Sequence, residues 1–469
     1  MRKEIRNHFE RMALEREIWE KKNFYYYSQI SHFMKQTVPP GKRVLEIGCG
    51  RGSLLKSLNP SFGVGIDFSY WMIKEAKEKF KEGLFAVSDA QGIALKAKFD
   101  YIILTDVLGH LEDIQKVLEE IRDLCTKDTK IIITYFNYIY EPILRFAERL
   151  SLKMPEQKQS WISFDDVNSF LSLAGFEIVQ RGRMILFPKN IPVISAAVNR
   201  FLARLPILNH FCITQFWVGK LSAQFLKREH DYSVSVIVPA RNEKGNIEQI
   251  VHRIPKFAKD VEIVFVEGRS KDGTREEILR VQRRYPDYNI KFLEQNGKGK
   301  ADAVIKGMDN AKGDILMILD ADMTVTPEEL PKFYRALIQS NADLVMGSRL
   351  VYPMESRAMQ FLNKIGNKAF GLIMSWIIGQ RVKDTLCGTK VLFREKYIEL
   401  KNRSKDLIKL DPFGDFFFIL GTARNSGKIV EIPIRYKERS YGKTNISRFK
   451  HGFYLLKMCF VAAWKIKFN

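Results

Sequence analysis

A short apolar run, Ile315 to Leu319, ends in two carboxylates one residue apart, Asp320 and Asp322, within the stretch ILMILDADMTVTPEE. Bounded by Gly313-Asp314 before it and a polar turn after it, a run of this length reads as a fully buried strand of a parallel sheet. Open α/β sheets bind ligands at the carboxyl ends of their strands, and two carboxylates there can hold a hard divalent cation that grips a diphosphate. Asp-x-Asp by itself is common. Its meaning rests on the rest of the chain.

A chain of 469 residues exceeds one ordinary core, which implies two or three domains of roughly 150 to 250 residues. The formal net charge of +22 calls for an anionic partner: nucleic acid, an acidic membrane surface or a phosphorylated substrate. A nucleic-acid role is set aside, because no recognition module is present and the basic residues do not alternate with stacking aromatics on a sheet face. The cysteines (Cys49, Cys125, Cys212, Cys387, Cys459) form no Cys-x-x-Cys pair and the histidines no ligand-spaced cluster, so a reducing compartment without structural zinc is expected. The N-terminal stretch is charged throughout and lacks the apolar centre of a signal peptide. The longest apolar candidate, Phe370 to Gly379, is about half the ~20 residues a spanning helix needs. These features predict a cytoplasmic protein, at most peripheral on the inner membrane face.

In the first half, GKRVLEIGCGRGSLLKSL gives strand, glycine-rich turn and helix, with Glu46, Gly48, Gly50 and Gly52 spaced as Glu-x-Gly-x-Gly-x-Gly. Glycines there let the backbone approach a ligand, and an acid at the end of the next strand accepts hydrogen bonds from a ribose. GVGIDFS supplies that acid as Asp67, Ser88-Asp89-Ala90 follows the third strand pattern, and FDYIILTDVLGHLED ends a fourth at Asp106. This half resembles the class I S-adenosylmethionine-dependent methyltransferases over about residues 36 to 222. The resemblance implies that the glycine turn with Glu46 holds the methionine part of S-adenosyl-L-methionine, Asp67 the ribose and Asp89 with Ala90 the adenine edge. FEIVQRGRMILFP and FCITQFWVGKL look like the closing antiparallel pair of that fold. Between them lies an insertion whose Ile191, Ile194, Val198, Phe201, Leu202 and Leu205 recur at helical spacing beside Arg200 and Arg204. Methyl transfer needs mainly orientation of a nucleophile against the sulfonium. His110 is the one candidate base, against its reading as a bystander.

The charged stretch FLKREHDYS, Phe225 to Ser233, is the expected boundary. Beyond it, SVSVIVPARNEKGNIEQIV, VEIVFVEGRSKDGT and KFLEQNGKGKADAVIKG bring Pro239 to Glu243, Glu267, Asp272 and Lys298 toward the crevice that Asp320 and Asp322 face. The blocks PARNE, SKDGT, DADMTVTPEE, GSR (Gly347 to Arg349), DTLCGTK (Asp384 to Lys390) and RSYGKTN (Arg439 to Asn445) resemble, in order, those of family 2 glycosyltransferases with the GT-A fold. They are most similar to the polyprenyl-phosphate sugar synthase branch. By that resemblance Pro239, Arg241, Glu243, Glu267, Asp272 and Lys298 contact the donor nucleotide, and Asp320 and Asp322 carry Mg²⁺ or Mn²⁺ on the diphosphate. Arg349, Arg357 and Arg439 hold the acceptor phosphate, since guanidinium forks match phosphate oxygens. A phosphate acceptor is already ionised and needs no base. The pattern is departed from at Glu267-Gly268, where an aspartate pair is usual, at Thr324, usually an amide, and at Val325, usually a histidine. In DPFGDFFF, Asp415 stands near the aspartate base of other members, which would instead send the sugar to a hydroxyl of a glycan or lipid, with methylation of the same product. A helix-capping role for Asp415 is equally open.

From Ile446 on, Phe449, Phe453, Leu456, Phe460, Trp464 and Phe468 share one helical stripe among lysines and arginines. That pattern suits a helix in an anionic membrane interface, or one packed on its own domain. The chain thus divides into a charged, aromatic helical leader (1–35), a Rossmann-like methyltransferase domain (36–225, insertion 189–210), a linker (226–232), a GT-A glycosyltransferase domain (233–445) and a cationic amphipathic helix (446–469). The expected protein is a bifunctional α/β transferase taking a nucleotide-activated sugar and a polyprenyl phosphate.

Overall fold

The computed structural model describes residues 10, 15–154, 160–225, 232–349, 361–408, 411, 414–437, 439, 441 and 448–468. The chain forms two compact units, Met1–Leu226 and Lys227–Lys467. Each is built on one seven-stranded sheet with helices on both faces.

The strands of the first unit are β1 (Arg43–Ile47), β2 (Phe62–Asp67), β3 (Leu84–Val87), β4 (Phe99–Thr105), β5 (Cys125–Phe136), β6 (Phe176–Met184) and β7 (Thr214–Leu221). Their order is β3-β2-β1-β4-β5-β7-β6. Only β7 runs against its neighbours, pairing antiparallel with both β5 and β6. Ile131, Ile132 and Ile133 are all buried because the pleat sends alternate side chains into two cores, Ile131 and Ile133 into one and Ile132 into the other. The strand order reverses between β1 and β4, which opens a crevice at their carboxyl ends. The leader folds as helices Arg16–Lys22 and Phe24–Thr37. Tyr26, Ile30 and Met34, spaced four apart, pack into the core on that face.

The insertion departs from the helix expected of its spacing. Only Ile194–Arg200 is α-helical, followed by 3₁₀ turns at Leu202–Arg204 and Leu208–Phe211. Asn199 accepts from the Leu186 amide and Asn209 donates to the Arg183 carbonyl at the end of β6, side-chain bonds to backbone that compete with one regular helical ladder.

The second unit contains β8 (Val234–Ala240), β9 (Val261–Glu267), β10 (Asn289–Glu294), β11 (Ile315–Ile318), β12 (Leu344–Ser348), β13 (Lys390–Phe393) and β14 (Ile429–Pro433). The order is β10-β9-β8-β11-β13-β12-β14, with β13 antiparallel to β11 and β12. The apolar run that carries Asp320 is thus a buried central strand, parallel to β8. The helix Arg448–Ala462 buries Met458, Cys459 and Ala462 in the same cluster as Met374, Ile377 and Ile378 of the helix Phe361–Ile378. The opposite face displays Leu456 (56% exposed) and Phe460 (72%), and Trp464, in the following segment Ala463–Lys467, is exposed as well. Among the described residues no helix is long and apolar enough to cross a membrane.

Candidate functional site

In the second unit Asp320 and Asp322 leave the end of β11 in a turn sharp enough to give Met323 a φ of 56°. Lys300 Nζ lies 2.5 Å from Asp320 Oδ1. Arg439 donates to Asp322 Oδ2 at 2.7 Å and stands 3.6 Å from Glu243. Burial pushes the Asp320 carboxyl up, but the charge and hydrogen bond of Lys300 outweigh it, with help from Lys390 and Arg349, and hold it below the usual range. The Lys300 ammonium is correspondingly raised: burial opposes its charge, and Asp320 and Asp415 more than compensate. Thr324 donates its backbone N–H and hydroxyl to Asp322 Oδ1 (3.1 and 2.8 Å), so the residue found where the family pattern has an amide braces this carboxylate. Val325 is buried.

The block before β13 enters the same crevice. A Cβ on Gly388 would lie 2.0 Å from Asp320 Oδ2 and 2.6 Å from Lys300 Nζ, so only glycine lets this backbone touch the ion pair. Lys390, fully buried, donates to Asp415 Oδ1 at 2.9 Å and to the Cys387 carbonyl. Asp415 opens the helix Asp415–Arg424. Arg349 closes a two-pronged fork on Asp384 (2.7 and 2.8 Å) and its guanidinium lies over the Tyr436 ring at 5.1 Å. Its fork therefore faces a carboxylate of the same chain. Arg357 lies outside the described residues.

On the β8–β9 side, Asp272 Oδ1 accepts from the Thr274 backbone and hydroxyl and Oδ2 from the Lys244 amide. Glu267 accepts from the Ser270 amide at 2.5 Å and is buried. Glu243 accepts from Asn246; burial pushes its carboxyl up to about 7, Arg439 opposing and Asp322 adding. Pro239 is half-buried, while Arg241 and Lys298 are exposed. Lys300, two residues beyond Lys298, is the lysine that meets Asp320, and sequence reasoning missed it. The signal available was helical: Lys300 opens the helix Lys300–Asn310 behind Gly299.

Asp320 and Asp322 offer only oxygen donors, the choice of a hard cation. Among the described residues no group of three or more carboxylate, thiol or imidazole side chains is placed to hold a metal ion. Mg²⁺ sites commonly take one or two carboxylates with substrate phosphates completing the shell, and each carboxylate here is paired with a cationic side chain. The residues fit such an ion.

In the first unit Gly48, Gly50 and Gly52 have φ of 74°, 50° and 71°. Asp67 at the end of β2 accepts from the amides of Gly50 and Ser69, both at 2.9 Å, which ties the glycine turn to the second strand. A cleft of about 500 Å³ opens there, lined by Gly48, Asp67, Asp89, Ala90 and His110 among others. Glu46 lies beneath it, buried, accepting from the Leu55 amide at 3.1 Å, and burial pushes its carboxyl up to about 8. Two leader contacts were invisible in the sequence. Tyr26 donates to Asp106 at 2.9 Å. Arg51, within the glycine turn and 4% exposed, pairs with Glu17, Glu20 and Glu75 at 2.5, 3.1 and 2.6 Å.

Residues 235–400 match the model of glycosyl transferase family 2, and residues 19–181 that of a methyltransferase domain. A dolichyl-phosphate beta-glucosyltransferase of Trichomonas vaginalis is 30% identical over 256 residues, 50% of this chain and 76% of that protein. The chain belongs to glycosyl transferase family 2. A methyltransferase domain precedes the family 2 domain. A dolichol-phosphate mannosyltransferase of Pyrococcus furiosus is 31% identical over 239 residues, 48% of this chain and 64% of that protein. The chain spans 64%, 40% and 54% of the length of the first three curated relatives it matches. The magnesium protoporphyrin IX methyltransferase of Synechocystis is a structural neighbour at 20% identity, covering 47% of this chain and 100% of that one with a TM-score of 0.36.

Proposed function

We propose that the family 2 unit transfers a sugar, with inversion, from a nucleotide sugar to a polyprenyl phosphate at the cytoplasmic face of a membrane, and that the first unit binds S-adenosyl-L-methionine and transfers its methyl group. The observation that carries the first reading is the convergence of Asp320, Asp322, Lys300 and Arg439 with Gly388 at one strand end. Asp320 and Asp322 would hold Mg²⁺ or Mn²⁺, which when bound neutralises the charge developing on the departing nucleoside diphosphate. Lys300 and Arg439, both half-buried, supply cationic donors for the diphosphate or acceptor phosphate oxygens. Glu243, Glu267 and Asp272 fix the loops that face the nucleotide. A phosphate acceptor attacks without a base. Asp415 is consistent with this, because its carboxylate is already engaged by Lys390. The exposed Leu456, Phe460 and Trp464 stripe of the C-terminal helix suits an anionic lipid surface.

The test is sugar transfer from labelled nucleotide sugars, with Mn²⁺ or Mg²⁺, to polyprenyl phosphate or to extracted glycans. Asp320→Asn should abolish transfer and leave the circular dichroism spectrum unchanged. Full activity in that variant sinks the assignment, and product only on the glycans moves the acceptor to a hydroxyl. Isothermal titration with S-adenosyl-L-methionine tests the first unit: Asp67→Ala should bind at least tenfold more weakly, by the loss of hydrogen bonds to a charged group.

A further inference from the structure

The segment between β6 and β7 is built inside out. Its polar side chains turn inward to hold its own backbone. Ser195, fully buried, accepts from the Ile191 amide and donates to the Lys189 carbonyl, both at 2.7 Å. Asn199 accepts from the amides of Leu186 and Phe187 at 2.8 and 2.9 Å. Asn209 donates to the carbonyls of Arg183 and Ala203 at 2.9 and 2.8 Å. Its large apolar side chains turn outward: Val193 is 81% exposed and Ile207 77%, with Ile191, Ile194, Leu202 and Phe211 also exposed. Val193 holds this position at a φ of 65°, which a β-branched residue rarely adopts. Single exposed hydrophobics need no explanation, but a continuous set on one short segment marks a surface that is covered in use.

Place and charge say what covers it. Met184 and Phe136 both pair with Thr214, so the segment rises from the carboxyl edge of the sheet, the edge at which the cleft of Asp67, Asp89 and His110 opens. From β5 the same edge sends out the helix Glu141–Arg149, with Ile143 and Phe146 exposed. Residues 178–213 contain Arg181, Arg183, Lys189, Arg200 and Arg204 and no aspartate or glutamate. The Nε atoms of Arg183 and Arg204 are buried and have no hydrogen-bond partner among the described residues. The Arg183 guanidinium lies over the Phe164 ring at 4.5 Å, and a buried Nε–H without an acceptor adds to the local preference for negative charge. An apolar rim on a segment with five cationic and no acidic side chains is complementary to a bilayer of anionic lipid.

We propose that this segment docks the first unit on an anionic lipid bilayer, and that the methyl acceptor is an anionic amphiphile resident in that bilayer. The proposal rests on the reading of the first unit as a methyltransferase. The transfer breaks the S–CH₃ bond, whose electron pair stays on sulfur to give the neutral thioether. A nucleophilic oxygen or nitrogen of the amphiphile forms the new bond to carbon and yields its proton to water.

The test uses the full chain carrying an environment-sensitive fluorophore at Ile207→Cys, the native cysteines being buried. Vesicles are equimolar phosphatidylglycerol and phosphatidylcholine, or phosphatidylcholine alone. With anionic vesicles the emission should shift to the blue and be quenched by spin-labelled lipid, while the same label at Lys127→Cys, an exposed position near the start of β5, should not respond. Val193→Asp with Ile194→Asp should weaken the response of the Ile207 label by roughly tenfold or more, from the apolar burial lost. Vesicle binding of the chain without any response at Ile207 overturns the proposal. So does a label response that depends on protein concentration alone, which assigns the surface to a second copy of the chain. Absence of S-adenosyl-L-methionine binding with the label response intact sinks the methyltransferase reading and leaves the docking surface standing.

Discussion

Adding one methyl group at Gly388 should silence the family 2 site while leaving the fold nearly unchanged. In Gly388→Ala the new carbon would stand 2.0 Å from Asp320 Oδ2 and 2.6 Å from Lys300 Nζ. Non-bonded carbon and oxygen do not come closer than roughly 3 Å, so the carboxylate must retreat by about 1 Å. Asp320 has little room to do so, since its ion pair with Lys300 spans 2.5 Å. A displacement of about 1 Å at a reacting centre costs on the order of a hundredfold in rate, equivalent to about 2.7 kcal/mol of transition-state stabilisation. Overpacking should cost about 1 to 3 kcal/mol of stability, which leaves the unit folded at room temperature. Steady-state kinetics with varied donor should show the loss mainly in kcat, beside a thermal unfolding curve shifted by only a few degrees. The control is Gly366→Ala, in the helix Phe361–Ile378, where a Cβ meets nothing within 4 Å and the change should be neutral or stabilise by about 0.5 to 1 kcal/mol. Wild-type kcat in Gly388→Ala would refute the placement of Asp320 in the reaction centre.

Three further outcomes are expected. Glu46 titrates near 8 in the folded chain against 4.5 unfolded, so its contribution to stability is complete below pH 4.5 and is lost as pH rises through about 8; Glu46→Gln should remove that loss, on the order of 4 kcal/mol by pH 9, and identical pH profiles of urea unfolding for the two proteins would contradict it. Asp384→Asn leaves the buried Arg349 guanidinium without its carboxylate and should cost about 3 to 5 kcal/mol in denaturant unfolding, an effect absent if Arg349 turns instead to solvent. Arg51→Met should strand Glu17, Glu20 and Glu75 against one another; a loss of about 1 to 3 kcal/mol is expected, and a proteolysis pattern that leaves the leader helices as protected as before would argue against their being held by this residue.

The fold was largely legible because the central strands are rich in apolar residues and several of them, β2, β9 and β11 among them, stop at or just before an acid. Asp67 and Asp320 mark two such ends, and periodicity alone sets them at a carboxyl edge. The candidate residues of the first cleft, Gly48, Asp67, Asp89 and Ala90, also follow from strand ends, which are local features. Partnerships across the chain do not. Arg349 reads as a cation free to bind phosphate until Asp384, 35 residues on, is seen in its fork. Lys300 and Tyr26 acquire their meaning from Asp320 and Asp106, which no spacing rule connects to them. The insertion misled in a different way. Helical spacing of apolar residues normally marks a face turned to the core, and here the polar side chains hold the backbone while the apolar ones face out.

The reversed strands β7 and β13 carry a consequence for which lengths of chain can change. A parallel strand delivers its following loop to the ligand edge, whereas a reversed one delivers the loop before it. Residues 384–389, upstream of β13, therefore belong to the crevice, and Arg394–Arg403, downstream, start from the far edge. Insertions after Phe393 or after Leu221 lengthen the chain away from both crevices. An added residue between Asp384 and Lys390 would shift Gly388 off its ion pair, so the reach of each segment is fixed by the direction of the strand it enters.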